Sequence, residues 1–196
     1  KDKETTQLTF KNAIIATGSS EVNLPNIEVD HQKVWNSTDA LELKEIPKKL
    51  LVIGGGYIGL ELGSVYAGLG SKVSIAEMTD GFLPGTDRDL VNVFKKNHPF
   101  QDVFFETKVE NLKVNKKSLS VSLKGKEKEQ KKSFDAVLVA VGRTPNTKEL
   151  GLDKIGISPD EKGFIEVDLQ RKTKHSHIYA IGDITGEPLL AHKASH

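Results

Sequence analysis

One stretch limits what this chain can fold into more than any other. Residues 50–77, LLVIGGGYIGLELGSVYAGLGSKVSIAE, set seven glycines between two apolar runs and close on a carboxylate. The first run predicts a buried strand, residues 57–69 a helix and residues 72–77 a second strand. Gly54, Gly56 and Gly59 fit G-x-G-x-x-G. That pattern is weak alone. It gains specificity from the strand before it, the helix after it, the second strand, and a carboxylate about 20 residues on. Gly54 permits the tight turn, Gly56 lets a pyrophosphate approach the backbone, and Gly59 lets helix and strands pack closely. Gly63, four residues on, extends that packing face. The helix start offers N–H groups and a positive dipole end to a diphosphate.

Glu77 closes the second strand. A carboxylate there accepts hydrogen bonds from ribose hydroxyls and repels a 2′-phosphate, and Met78, Thr79 and Asp80 supply no cation to receive one. The expected ligand is therefore NAD(H) rather than NADP(H); the plain alternative is an exposed strand-end glutamate. Glu61 falls in the first helical turn on this reading, where the dipole favours a negative charge, and structural and binding roles both stay open.

The totals exclude other classes. With 28% charged and 37% hydrophobic residues, the chain suits a globular fold. A net charge of +1 gives no reason to expect nucleic acid or an anionic membrane as partner. No apolar run is long enough to span a bilayer, and residues 1–10 lack the apolar core of a signal peptide. The absence of cysteine removes thiol chemistry from this chain. Six scattered histidines, two of them in HSH at 175–177, form no ligand set. Neither a G-x-S-x-G segment nor a P-loop occurs. The chain starts KDKETTQ without Met and stops at LLAHKASH without a C-cap signal, so it is expected to be a piece of a longer protein.

Elsewhere, residues 8–20 predict a buried strand and a turn at Gly18, residues 38–43 a short helix, and residues 87–97 an amphipathic helix capped by Thr86 or Asp87. Residues 103–107 predict a third strand, residues 109–134 an antiparallel meander turning at Lys124-Gly125, and residues 136–141 an apolar strand ending at Gly142. The basic run 124–132 reads as a solvated hairpin loop. Residues 164–167 and 178–181 are further short strands. HIYAIGDI puts Asp183 at a strand's end, where it is either a turn residue or faces a ligand crevice. AIIATGSS (13–20) and AVLVAVGRT (136–144) share a pattern, which suggests two related nucleotide-binding domains, one inserted in the other.

IIATGS, GGGYIGLELG, AVGRTPN, IYAIGD and PLLAHKA follow one another in this chain. In that order they resemble the flavin-dependent pyridine nucleotide-disulfide oxidoreductases, most closely the dihydrolipoamide dehydrogenases of bacterial type; NADH oxidases, transhydrogenases and mercuric reductases share most of these motifs. The resemblance implies a parent enzyme that oxidises dihydrolipoamide through a redox-active disulfide and passes electrons by FAD to NAD⁺. It also implies a homodimer serving 2-oxoacid dehydrogenase complexes in the bacterial cytoplasm. It gives Gly54, Gly55, Gly56, Tyr57 and Ile58 the NAD diphosphate, with Gly59 behind them, and Glu77 the ribose. Val109 would touch adenine, and Ala140, Val141, Gly142 and Arg143 would line the nicotinamide end, with Glu61 beside it. Gly18, Asp183 and Ala191 would belong to the flavin site. The family's FAD glycine motif, cysteine pair and C-terminal His-Glu pair are absent from this sequence. The expected fold is α/β: a Rossmann-like NAD-binding domain, residues 29–152, made of a parallel sheet with an antiparallel meander. FAD-domain remnants at 1–28 and 153–196 flank it. The chain alone is expected to bind NAD without catalysing the reaction. A stand-alone NAD-binding or sensing module is the competing expectation.

Overall fold

A computed structural model of the chain describes residues 6–115, 118–126 and 128–195. Part of the 1–10 segment, Glu127 of the basic run and His196 therefore lie outside the described residues. Two compact units form, one from residues 21–142 and the other from residues 1–20 with 143–196.

In chain order, β1 (Ala13–Ile15) and β2 (Ser19–Glu21) come first. They are followed by β3 (Val34–Trp35), α1 (Ser37–Leu41), β4 (Lys49–Ile53), α2 (Tyr57–Gly68) and β5 (Lys72–Ala76). Next are α3 (Arg88–Asn97), β6 (Asp102–Phe104), β7 (Lys108–Val114), β8 (Leu119–Lys124) and β9 (Glu129–Phe134). The chain then forms β10 (Ala136–Val139), β11 (Arg143–Pro145), β12 (Ile178–Ala180) and α4 (Ala191–Ala194).

The larger unit is built on a parallel five-stranded sheet in the order β3-β10-β4-β5-β6. Its strands read as continuous apolar runs because both faces are covered. Alternate side chains separate cleanly. Leu50 and Val52 of β4 pack with Leu60 and Tyr66 of α2. Leu51 and Ile53 pack with Leu119, Val121 and Leu123 of the antiparallel sheet β7-β8-β9 on the other face. The unit thus has three layers: helices, parallel sheet, meander. The Tyr66 hydroxyl, buried between α2 and α1, donates to the Ala40 carbonyl at 2.8 Å. Asp87 caps α3, its carboxylate accepting from the Asp89 N–H at 2.9 Å.

The connections β4-α2-β5 and β5-α3-β6 run outward one way, while β10 lies on the other side of β4. The order in which the chain adds strands therefore switches sides between β4 and β10, which run parallel. In open α/β sheets that switch opens a crevice at the carboxyl ends of the strands.

In the smaller unit, β1 pairs in parallel with β12. Its core is Leu152, Ile157, Ile165, Ile178, Ala180 and Ile184.

Several expectations need correction. The buried strand within residues 8–20 is only β1, with Ile14 65% exposed, because β12 is its sole sheet partner among the described residues. The strand expected over 103–107 stops at Phe104, since Glu106 turns left-handed with φ 49°. Residues 164–167 form no strand; Ile165 is buried, but by packing under the turn Gly182–Thr185, and its N–H bonds the Ile184 carbonyl at 2.8 Å. The compact units meet in sequence at 20/21 and 142/143. Ile27 is buried with the meander-side core, and Leu152 with the core of the smaller unit.

Gly59 marks the tightest helix–strand contact. A β-carbon there would stand 2.3 Å from the Gly54 carbonyl oxygen and 3.1 Å from Val52. Gly59→Ala is therefore expected to lose about 1–3 kcal/mol of stability from overpacking. Gly56→Ala should melt like the parent chain, because nothing lies within 4 Å of its β-carbon position. Thermal unfolding followed by circular dichroism checks the pair; equal melting of both variants would contradict the contact.

Candidate functional site

The carboxyl ends of β4, β5 and β10 bring together most of the residues singled out in the larger unit. Gly54 follows β4 with φ +111°, and a β-carbon there would lie 2.3 Å from the Ala140 carbonyl oxygen just past β10. The two strand ends can pass this closely only over glycine. The Gly54 N–H donates to the Ala76 carbonyl at 2.9 Å and the Ala140 N–H to the Ile53 carbonyl at 2.8 Å. The sheet hydrogen bonding thus runs to the edge of the turn.

Gly56 is the N-cap of α2, and as glycine it supplies no side-chain acceptor to the first turn. Tyr57 and Ile58 are the first two helical residues, both half-buried. Gly59 is buried behind them. Around Gly56 the space for a β-carbon is open, while at Gly55 it is closed by Glu77 and Phe82 at 3.1–3.2 Å.

Glu77 is bound more firmly than its place at a strand end implies. Its Oε2 accepts from the Gly55 N–H at 2.6 Å, and its Oε1 accepts from the Thr79 N–H at 2.7 Å. The Thr79 hydroxyl lies 2.8 Å from the same Oε1 and 2.9 Å from the Gly81 carbonyl. The carboxylate thus ties the end of β5 to the glycine turn. A second tie runs from the Leu83 N–H to the Gly55 carbonyl at 2.9 Å. The loop carrying Leu83 is held from inside by Arg88, whose guanidinium donates to the carbonyls of Phe82 (3.2 Å), Leu83 and Thr86 (2.8 Å).

Beside this turn lies a cleft of about 220 Å³, walled by Leu24, Pro25, Ile27, Ile53, Val109 and Val141, with Gly54 and Glu77 also in its lining. Thr107 and Lys108 also line it. Of the expected residues, Gly54, Glu77, Val109 and Val141 therefore meet around one space. Gly55, Gly56, Tyr57, Ile58 and Gly59 form the adjoining turn, and Ala140 backs onto it. Gly142, with φ +132°, accepts from the Val22 N–H at 3.0 Å.

Glu61 does not sit in the first helical turn, where it was expected. It is the fifth residue of α2, past the first turn, and it is exposed, so the dipole argument does not reach it. Arg143 belongs to the smaller unit. There its Nε donates to the Ser19 hydroxyl at 2.7 Å, and that hydroxyl donates to Asp183 at 2.6 Å. Asp183 lies in the turn Gly182–Thr185, Gly18 has φ +67° and its carbonyl accepts from the Asn146 N–H at 2.9 Å, and Ala191 opens α4, exposed.

Sequence reasoning missed three participants. The segment of Leu24, Pro25 and Ile27 has no periodic pattern to place it beside the cleft. Arg88 looks like a helix surface cation. Lys108 differs: its position next to Val109 was a usable signal.

The strand order, the glycine turn where that order switches sides and the acceptor on the neighbouring strand define a Rossmann-like α/β fold. Comparison with known proteins makes the assignment specific: the family model for pyridine nucleotide-disulphide oxidoreductases matches residues 1–196, and the chain belongs to that family of oxidoreductases. It is 48% identical over 197 residues to a dihydrolipoyl dehydrogenase of Haemophilus influenzae, covering all of this chain and 41% of that protein. It is 44% identical over 191 residues to one of Bacillus subtilis, covering 96% of this chain and 40% of the relative. The chain thus spans about two fifths of the length of the curated relatives it matches. Among solved structures, the Cu(II) complex of the HOCl-induced flavoprotein disulfide reductase RclA from Escherichia coli superposes with a TM-score of 0.79 at 32% identity, over 94% of this chain and 42% of that one. LpdA from Mycobacterium tuberculosis gives 0.80 at 27% identity, over 93% and 39%.

The bonds of Glu77 within the protein give it a structural role independent of any ligand. Glu77→Ala leaves the Gly55 and Thr79 N–H groups without their acceptor and should cost about 1–3 kcal/mol in the ligand-free protein. Glu77→Gln, which keeps a carbonyl acceptor, should cost less. Urea unfolding of the two variants checks this, and a Glu77→Ala variant as stable as the parent would contradict it.

Proposed function

We propose that this chain is the NAD(H)-binding portion of a flavin-dependent dihydrolipoyl dehydrogenase, and that the carboxyl edge of the parallel sheet in residues 21–142 holds the dinucleotide. The observation that carries this reading is the open space at Gly56. Gly54, Gly55 and Gly59 are glycines because protein atoms crowd them, whereas nothing in the protein occupies the space at Gly56. An uncrowded glycine at a helix start suits a diphosphate, which needs backbone approach and gains from the helix dipole. The residues fit the rest of the ligand. A carboxylate has about four lone-pair positions, so Glu77 keeps capacity for a ribose hydroxyl beyond its internal bonds. Val109 offers an apolar wall to adenine. Ala140, Val141 and Gly142 form the other strand end, towards the nicotinamide. Bound there, NAD⁺ supplies the hydride acceptor of the parent reaction.

On the same reading, the parent enzyme carries FAD, and Gly18, Asp183 and Ala191 serve the flavin. The parent works as a homodimer with 2-oxoacid dehydrogenase complexes in the bacterial cytoplasm. Among the described residues, no helix is long and apolar enough to cross a membrane.

Calorimetric titration tests the binding claim. NADH should bind more tightly than NADPH, and Gly56→Ala should weaken NADH binding tenfold or more, roughly the loss of one charge-assisted hydrogen bond. Equal affinities, or a preference for NADPH, would overturn the reading. A second test concerns activity. Dithiol oxidation by disulfide exchange needs a cysteine, which this chain does not have. The purified chain should show no flavin absorption band, and dihydrolipoamide-dependent reduction of NAD⁺ should stay at background with FAD added. Turnover above background would contradict this.

A further inference from the structure

The residues directly after Glu77 in sequence supply no cation, yet the fold brings one to the same cleft from another strand. The N–H of Thr107 donates to the Glu77 carbonyl at 2.9 Å, so the start of β7 runs beside the end of β5. Lys108, the next residue, lines the cleft with Glu77 and is exposed.

The neighbouring cations have partners of their own. Lys124, opposite Lys108 in the β7–β8 register, pairs with Glu110 at 3.2 Å. Lys126 pairs with Glu106. Arg88 is engaged by the loop carbonyls it holds. Lys108 has no ion pair among the described residues.

We propose that Lys108 is a second determinant of dinucleotide choice, a cation placed to receive a 2′-phosphate, and that the charge of Glu77 alone keeps NADP(H) out of this cleft. The inference rests on the proposed nucleotide site. A 2′-phosphate carries up to two negative charges. Beside the Glu77 carboxylate it meets repulsion, and beside a lysine ammonium it gains a charge-assisted contact. With Glu77 ionised, repulsion at the ribose outweighs the attraction of a flexible, solvated lysine. Once Glu77 is neutral, only the attraction remains.

The test titrates NADH and NADPH into this chain and into Glu77→Gln, which removes the charge and keeps a carbonyl acceptor. Glu77→Gln should bind NADPH about tenfold more tightly than the parent chain, the scale of one charge-assisted contact. Adding Lys108→Ala in that background should remove most of the gain, and raising the salt concentration should shrink it. A gain that survives Lys108→Ala, or no gain in Glu77→Gln, overturns the proposal while leaving the nucleotide site intact. Equal weakening of NADH and NADPH in the double variant would place Lys108 at the diphosphate and also overturn it. Failure of the parent chain to bind NADH would remove the site on which the inference rests.

Discussion

The carbonyl oxygen of Gly54 occupies the position that a side chain on Gly59 would need. That single close approach seats the start of α2 against the end of β4. It aims the helix N-terminus out of the carboxyl edge of the sheet instead of across it. Gly54 pays for the same crowding on its other side, where the Ala140 carbonyl lies within 2.3 Å of its missing β-carbon. Two neighbouring strands and one helix therefore converge on a patch of backbone with no side chains between them. The switch in strand order at this point turns the patch into a crevice.

On the proposed reading, Glu77 links that geometry to the choice of nucleotide. Its carboxylate holds the Gly55 and Thr79 N–H groups, and the Leu83 N–H returns to the Gly55 carbonyl. The glycine turn is thus fixed on both its donor and its acceptor side before any ligand arrives, which lowers the ordering cost of binding. A charge retained for structural reasons is also a charge that a ribose hydroxyl can use and a phosphate must avoid. In this account, architecture and choice of nucleotide share one side chain.

Much of this was legible in the sequence. The change from a strand-like apolar run to glycines and then to a helical pattern is local, so β4, α2 and β5 were readable to within a residue or two, and the cap of α3 to one of two neighbours, Thr86 or Asp87. The meander was readable because SLSVSL alternates with period two. Features set by distant partners were not readable. Ile165 lies in an apolar stretch like a strand's, but what buries it is a turn some twenty residues away in sequence, without a pairing strand. Glu61 is the fifth residue of a helix read as starting at Tyr57, so its first-turn reading is a miscount and not an effect of distant packing. Arg88 holds three carbonyls of a loop that no period announces. Lys108 stands between the two cases: its place next to Val109 is local, but it reaches the cleft because β7 returns beside the end of β5.

If the turn at Gly55 and Gly56 and the carboxylate of Glu77 form the dinucleotide site, NAD⁺ must touch their backbone amides. Nitrogen–proton correlation spectra of the labelled chain, recorded during titration with NAD⁺, test it most directly. The amide signals of Gly55, Gly56, Tyr57, Ile58 and Val141 should move together and saturate with one affinity, while those of Ile165 and Ile184 stay in place. Saturable shifts centred on the smaller unit, with the Gly55 and Gly56 signals unmoved, would contradict it.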